Sequence, residues 1–499
     1  MLSFLLRRYA FTAASRLRMS TTPQDLTVLA ATIINEKEAT RRESWLKTFC
    51  SHYRYRPKED RFEFLKYLAR EFYINREQFA TAVRTYLDNP VRRDCAGTIP
   101  CAASTLTVNL EKDNLPAFKF RDEEKLYSLL TPRYVSFFHA LGRAEGGVKF
   151  LVDMRGDILD LLAGSLGNGS QQYDIRVMNS ILRELLSLWF AVGFIKLERI
   201  TWKSSCEMLQ KISEYEAVHP VRNWTDLKRR VGPYRRCYVF THSCMPGEPI
   251  VVLHTALTNT IASSIQKIVT HTPSATPVPQ DWEDENLIKS AIFYSISSTQ
   301  KGLQGIELGK YLVKSVVREV KAEFPHVEDF CSLSPIPGFK DWLTAEIKKI
   351  AAGSEENSKL PNLPALLDVL RSHTKEDDPL QEFLKLLRTN GWFQNPELVE
   401  QLKDPLLRIC ASYLYNEKRR GYALNSVANF HLKNGAIIWR LNWLGDVSPR
   451  GLSTSCAIMA NYRYYLSNME ENRRSYLDDF VITASDTFLE FLKPTRSSL

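Results

Sequence analysis

"AIFYSISSTQKGLQGIELGKYLVKSVVREVKAEF", residues 291–324, decides the fold class of the second half of this chain. It begins with an aromatic and β-branched run of strand length and ends with apolar residues at helical spacing from 306 to 324. Between the two, Gly302, Gly305 and Gly309 punctuate "STQKGLQGIELGKYL", residues 298–312. Glycines at a strand-to-helix turn bring backbone N–H groups close to an anion, and the helix start adds partial positive charge. The spacing is neither a Walker A loop nor a G-x-G-x-x-G fingerprint. Phosphate binding and a purely structural turn both remain open here. Strand, turn and helix in succession predict a sheet with a covering helix.

The same mixed grammar continues on both sides. "CYVFTH" (237–242), "PIVVLHTAL" (249–257) and "GAIIWRLNWLG" (435–445) read as strands. "KDWLTAEIKKIAA" and "PLLRICASYLYNEKRRG" read as helices, with a polar linker "GSEENSKLPNLP" between them. Before residue 196 the pattern is helical throughout: "KEDRFEFLKYLAREFY", "NREQFATAVRTYL" and "DIRVMNSILRELLSLWF" place apolar residues at i, i+3 and i+4. Gly146 and Gly147 split "TPRYVSFFHALGRAEGGVKFLVDMRGDILDLL" into two helices. The chain therefore reads as α+β: an all-α helical domain over 25–195, then a mixed domain over 196–496.

At 499 residues the chain exceeds what one core usually organises, in keeping with two domains. A net charge of +9 is modest over that length and argues against a nucleic-acid-binding role; it suits an anionic small substrate such as a nucleotide or CoA ester. The nine cysteines, at 50, 95, 101, 206, 237, 244, 331, 410 and 456, contain no C-x-x-C and read as reduced thiols, without a zinc site. The longest apolar run, "LLSLWFAVGFI" (185–195), is about half of the roughly 20 residues a membrane span needs and reads as a helix end entering a strand. Residues 1–24 carry Arg7, Arg8, Arg16 and Arg18 and no acid, the profile of a mitochondrial presequence; Met19 offers a second start. The last three residues, 497–499, read "SSL", similar to the peroxisomal S-K-L.

Three features could carry chemistry. "CSLSPIPGF" (331–339) cannot continue a helix, and its prolines cannot donate to a ladder, so it reads as a turn or as a stiff loop holding Ser334. His431, with Asn425 and Asn429 nearby just before a strand, is either a hydrogen-bonded core residue or a general acid acting near neutral pH. His242, His254 and His326 compete with it on local grounds, and no G-x-S-x-G elbow supports a serine hydrolase. The basic runs "KRRVGPYRR" (228–236) and "NEKRR" (416–420) read as solvated faces, one of which could meet the 3′-phosphate of CoA.

Several long blocks taken in order decide the matter: "EAVHPVRNWTDLKRRVGPYRRCYVFTH", "AIFYSIS", "GLQGIELG", "SLSPIPGF", "RGYALNSVANFHLKNGA" and "MANYRYYL". Together they resemble the malonyl-CoA decarboxylase family. The resemblance implies an N-terminal all-α helical bundle domain for oligomerisation, followed by an acetyltransferase-like (GNAT-like) α/β catalytic domain. It implies conversion of malonyl-CoA to acetyl-CoA and CO₂ without metal or organic cofactor, in a homo-oligomer, a tetramer, that neither binds nucleic acid nor inserts in membranes. The implied catalytic pair is Ser334 and His431. The implied CoA-binding turn is Gln304, Gly305, Ile306, Glu307, Leu308, Gly309 and Lys310, and Ser295, Glu307 and Tyr464 match supporting positions. The implied address is the mitochondrial matrix, with peroxisome and cytoplasm besides.

Two departures stand out. Ser426 occupies a position where the family has proline, which would loosen the loop before His431, and the terminal tripeptide has Ser498 in place of lysine. The chemistry fits the implied reaction. Loss of CO₂ leaves a thioester enolate, so the site must stabilise an oxyanion and protonate C2. Ser334 would bind the carboxylate or relay its proton, and His431 would protonate the carbanion. The competing readings are an acyl-CoA-dependent N-acetyltransferase and a catalytically inactive helical scaffold. The first lacks the R/Q-x-x-G-x-G/A pattern of that class, since neither Gln300 nor Gln304 starts it in step.

Overall fold

A computed structural model describes residues 24–88, 117–164, 169–270, 283–306, 308–352, 360, 363–373 and 378–493. The presequence-like segment, the terminal tripeptide, Glu307, Cys95 and Cys101 lie outside these residues. The chain forms two compact units. One runs to Ala191 and includes Gln300–Ile306; the other takes Val192–Thr299 and the chain from residue 307 onward.

The first unit is helical. Its helices are Gln24–Asn35, Ala39–Tyr55, Lys58–Glu71, Arg76–Asp88, Ala117–Leu130, Arg133–Arg143, Gly147–Gly164 and Gly169–Trp189. Aromatic rings fill the centre: Phe49 meets Phe137 edge-on at 5.1 Å and Phe150 at 6.0 Å, with Tyr53 and Phe64 packed alongside. Such pairs add to the stabilisation of plain apolar burial. Asp157 would be costly in this interior, but Tyr53 donates to it at 3.0 Å and Arg61 pairs with it at 2.7 Å. Helix Gly147–Gly164 also carries a single 3₁₀ turn, Lys301–Leu303, against its side.

The second unit is built on one sheet. Its strands are β1 (Ile195–Ile200), β2 (Arg235–His242), β3 (Val251–Thr258), β4 (Ser290–Ser298), β5 (Asp329–Ser332) and β6 (Ser334–Pro335). A small hairpin of β7 (Lys418–Arg419) and β8 (Tyr422–Ala423) stands apart, and β9 (Ile437–Asn442) and β10 (Met459–Tyr464) complete the sheet. The order is β1-β2-β3-β4-β5-β10, with β6 also on β10 and β9 on the far side of β10. Every pair is antiparallel except β4–β5, joined by helix Gly309–Glu323. Both faces are covered: Leu209 and Ile212 pack on Val239 and Val252, while Ile265 and Ile268 pack near Ile292, Tyr294 and Leu333. Mixed helix and sheet after a helical region agrees with the α+β reading.

One expectation is corrected. The stretch read as a turn or loop, Ser332 to Pro335, is instead the middle of the sheet. Ser334 pairs with Ala460 and Pro335 with Met459, continuing β5 after Leu333. Leu333 N–H donates to Phe293 O at 3.0 Å, the last ladder bond to β4. Backbone groups alternate sides along a strand, so the nitrogen of Pro335 faces the side that β4 has already left. Proline costs no bond there. The parting of β4 coincides with a bulge: His254 pairs with Ser295 and Thr255 with Phe293, leaving Tyr294 as the extra residue. The seven described cysteines form no disulfide with one another. Among the described residues no helix is long and apolar enough to cross a membrane.

Candidate active site

Where β4 bends away from β5, a cavity of about 160 Å³ opens, lined by Val218, Phe293–Ile296, Ser334, Pro335, Ser426, Val427, Phe430 and His431. Ser334 reaches it from the strand end. Ser332, two residues earlier and on the same face, is fully buried behind it. His431 comes from the helix Ser426–Lys433. Asn425 starts that helix by accepting the N–H groups of Val427 and Ala428, a normal N-cap. Its amide also donates to Pro337 O at 2.9 Å, so one side chain ties the histidine helix to the serine strand. Ser426 is the first residue inside the helix, the place where proline is tolerated because its N–H has no partner there. The departure at 426 therefore sits in a capped helix, and the loosened loop expected there is absent.

Ser334 Oγ lies 2.8 Å from His431 Nε2 and donates to Ser332 Oγ at 2.9 Å. Ser332 Oγ in turn accepts the Tyr462 N–H. The other imidazole nitrogen, Nδ1, lies 2.6 Å from the Tyr464 hydroxyl. With the Ser334 proton directed to Ser332, the tautomer carrying Nε2–H donates to Ser334 and Nδ1 accepts from Tyr464. The ring stacks on Tyr462 at 4.5 Å and 16°. Burial lowers His431 to about 3, so the imidazole is neutral across the neutral range. This corrects the expectation of a group titrating near neutral pH: a solvated imidazole would do so, whereas this one has no carboxylate to offset burial.

Ser295 lines the same cavity but hydrogen-bonds elsewhere, donating to Glu216 at 2.8 Å. Glu216 also accepts the N–H groups of Val218 and His219 and lies 3.4 Å from His254 Nε2. Burial raises the Glu216 carboxyl, but His254, the His219 N–H and the Ser295 hydroxyl outweigh it and hold the group below its usual range. Burial pushes His254 down to about 4, which leaves it neutral at pH 7 despite the nearby carboxylate. Sequence reasoning missed Glu216. Its one signal was an acid followed by "AVHP", which ends the helix Cys206–Tyr215 and lets the chain turn inward.

The glycine turn is described in part. Gln304 is exposed, Gly305 has φ +80°, Ile306 is half-buried, and Leu308 precedes the helix that contains Gly309 and Lys310. Among the described residues, none of the turn lines the cavity above. His242 and His326 do not line it either: His242 Nδ1 accepts the Cys244 N–H, and His326 bonds Ile288 O. Among the described residues no cluster of His, Cys, Asp and Glu could hold a metal ion.

The chain is similar to known proteins over most of its length. A family described as "Malonyl-CoA decarboxylase C-terminal domain" matches residues 193–499, and "Malonyl-CoA decarboxylase N-terminal domain" matches residues 72–190. A mitochondrial malonyl-CoA decarboxylase of Anser anser anser is 50% identical over 373 residues, covering 74% of this chain and 71% of its own. That of Rattus norvegicus is 49% identical over 379 residues, covering 75% and 74%. Among solved structures, malonyl-CoA decarboxylase from Rhodopseudomonas palustris superposes with a TM-score of 0.75 at 29% identity, over 94% of this chain and 100% of its own.

Proposed function

This chain belongs to the malonyl-CoA decarboxylase family, and from that premise we propose that the hydrogen-bonded series Ser334–His431–Tyr464 carries the proton of its reaction. The reaction converts malonyl-CoA to acetyl-CoA and CO₂, so the chain is a carboxy-lyase. The bond between C2 and the carboxylate breaks, its electron pair forms the thioester enolate, and a proton adds at C2. The 2.8 Å contact between Ser334 and His431 at the cavity wall carries this reading.

The free site holds a neutral imidazole, whereas the reaction consumes one proton. A malonyl carboxylate beside His431 in a dry cavity favours the imidazolium, so the proton is taken up together with the substrate. Ser334 turns its hydroxyl from Ser332 to the carboxylate and holds it out of the thioester plane. As CO₂ leaves, Nε2–H delivers its proton toward C2, directly or through Ser334; the proton taken up with the substrate stays on Nδ1 of the now neutral ring, and its exchange restores the resting Nε2–H tautomer. Tyr464 fixes the tautomer that keeps the proton on Nε2. The test is release of labelled CO₂ from malonyl-CoA by purified protein; Ser334→Ala and His431→Asn should each abolish most turnover, and full turnover in both would sink the assignment.

The rest of the reading follows the family. The turn Gln304–Lys310 would bind CoA, and Ser295 and Glu307 would support the site. Four antiparallel strands followed by one parallel step, with the glycine turn before the crossover helix, support a GNAT-like catalytic domain. The helical domain would assemble a homo-oligomer, a tetramer. Relatives named mitochondrial and an arginine-rich, acid-free start support a mitochondrial address. The matrix is the compartment within it, and the terminal tripeptide extends the reading to peroxisome and cytoplasm.

A further inference from the structure

Ser332, behind the reacting serine, is fastened at both its backbone and its side chain. The register that sets Cys331 opposite Arg463 and Ser334 opposite Ala460 puts Ser332 opposite Tyr462. There the Tyr462 N–H donates to the Ser332 hydroxyl at 3.2 Å, and the Ser332 carbonyl accepts the Asn461 side-chain amide at 2.7 Å. Asn461 cannot turn over. Its side-chain oxygen accepts from Arg440 Nε at 3.1 Å, Arg440 Nη2 at 3.0 Å and Asn442 Nδ2 at 2.9 Å. Its NH₂ therefore faces Ser332 O and Ala262 O. Ser332 and Asn461 are both fully buried, where polar groups are kept only with their bonds made. The Ser332 oxygen thus sits at a fixed point, 2.9 Å from Ser334 Oγ, whose proton it accepts. With an N–H on one lone pair and the Ser334 O–H on the other, both of its acceptor positions are filled.

We propose that Ser332 is a positioning residue of the decarboxylation: it holds the Ser334 proton away from His431 and so keeps the free site in its Nε2–H form. The proposal rests on the reading of Ser334 and His431 as the reacting pair. Each hydroxyl in the series has one proton to give, and so does the neutral ring, so the direction of one bond sets the next. With Ser334 donating to Ser332, its lone pairs face the ring, and the ring donates through Nε2, 2.8 Å away. Without Ser332 the Ser334 proton turns to Nε2. The ring then carries its own proton on Nδ1 and donates to the Tyr464 hydroxyl at 2.6 Å. In the parent, substrate needs only a rotation of the Ser334 hydroxyl; in the reversed series it must displace the Ser334–His431 bond as well.

The experiment reads the tautomer directly, by nitrogen NMR of histidine-labelled protein, with the His431 signals identified by their loss in His431→Asn. The parent should carry the proton on Nε2, the nitrogen coupled to both ring C–H protons. Ser332→Ala should move it to Nδ1 and lower kcat/KM for malonyl-CoA roughly tenfold, the size of one hydrogen bond. Ser332→Cys keeps the space filled with only a weak acceptor, so it should show the same move and decides if Ser332→Ala does not fold. Ser332→Thr retains a hydroxyl and should keep both Nε2–H and most of the turnover. A parent ring protonated on Nδ1, or an Ala or Cys variant still protonated on Nε2, overturns the proposal whatever its turnover. In that second case Ser332 serves only as the acceptor for Tyr462, a strand bond whose loss destabilises the sheet and leaves the tautomer alone. Full turnover in both Ser334→Ala and His431→Asn would instead remove the reading on which the proposal rests.

Discussion

His431 and His254 are two buried histidines near one cavity. The first is in its wall, and the second is behind it, against Tyr294 at 5.8 Å. Burial lowers both, to about 3 and about 4, so depth alone does not distinguish them. Their partners do. Each nitrogen of His431 meets a hydroxyl, and a hydroxyl can give or take a proton. Among the described residues neither nitrogen of His254 has a hydrogen-bond partner, and the carboxylate 3.4 Å from its Nε2 is already engaged by Ser295 and two backbone N–H groups. On the proposed reading, a buried histidine can serve as a relay only where its neighbours can exchange protons with it.

The widest separation should come from replacing the two rings. His431→Asn should cost about 10²–10⁴ in kcat, the range for a lost acid–base group, whereas His254→Asn should cost less than about tenfold. Equal losses in labelled CO₂ release would break the contrast. Next in size is Tyr464→Phe, which strands Nδ1 without a partner. It should lower kcat about tenfold and unfolding free energy in urea by about 1–3 kcal/mol.

A third test uses what the two rings share. Each has a folded-state value below its ordinary 6.5, so the unfolded chain binds more protons as pH falls. Their stabilising contribution is complete above about pH 6.5 and is lost toward pH 4. Replacing one ring, as in His254→Phe, should recover roughly 1–2 kcal/mol of the loss between pH 7 and pH 5, measured by urea unfolding at both. A loss identical to that of the parent would show that the ring is solvated. The smallest effect belongs to Glu216→Gln, which keeps the shape but weakens the acceptor for Ser295. About a fivefold loss in kcat/KM, roughly 1 kcal/mol for one hydrogen bond, is expected, with His431 chemistry otherwise intact.

Local pattern was enough to read β2, β3, β4 and β9, because each is an apolar run bounded by turn residues. It was also enough to read most helices of the first unit. The strand character of Ser334–Pro335 was hidden because it depends on β4 leaving one side, a fact about a partner strand that no local window contains. Ser334 and His431 are 97 residues apart, and spacing alone could not pair them; the family resemblance singled them out, while their contact belongs to the fold. Glu216 escaped because a buried carboxylate satisfied by backbone N–H groups carries no motif. The turn 300–306 looked like part of the sheet domain because it follows β4 directly, whereas Gly302 and Arg155 join it to the helices.

Asn425 has a consequence for how this enzyme fails. The same amide starts the helix that carries His431 and grips the chain three residues past Ser334. Fraying at that one helix end therefore releases Ser334 and His431 together in a single opening, far short of global unfolding. Heat or mild denaturant would then silence the enzyme while most of its helical signal persists, and the loss would reverse on cooling as fast as a two-turn helix can rewind.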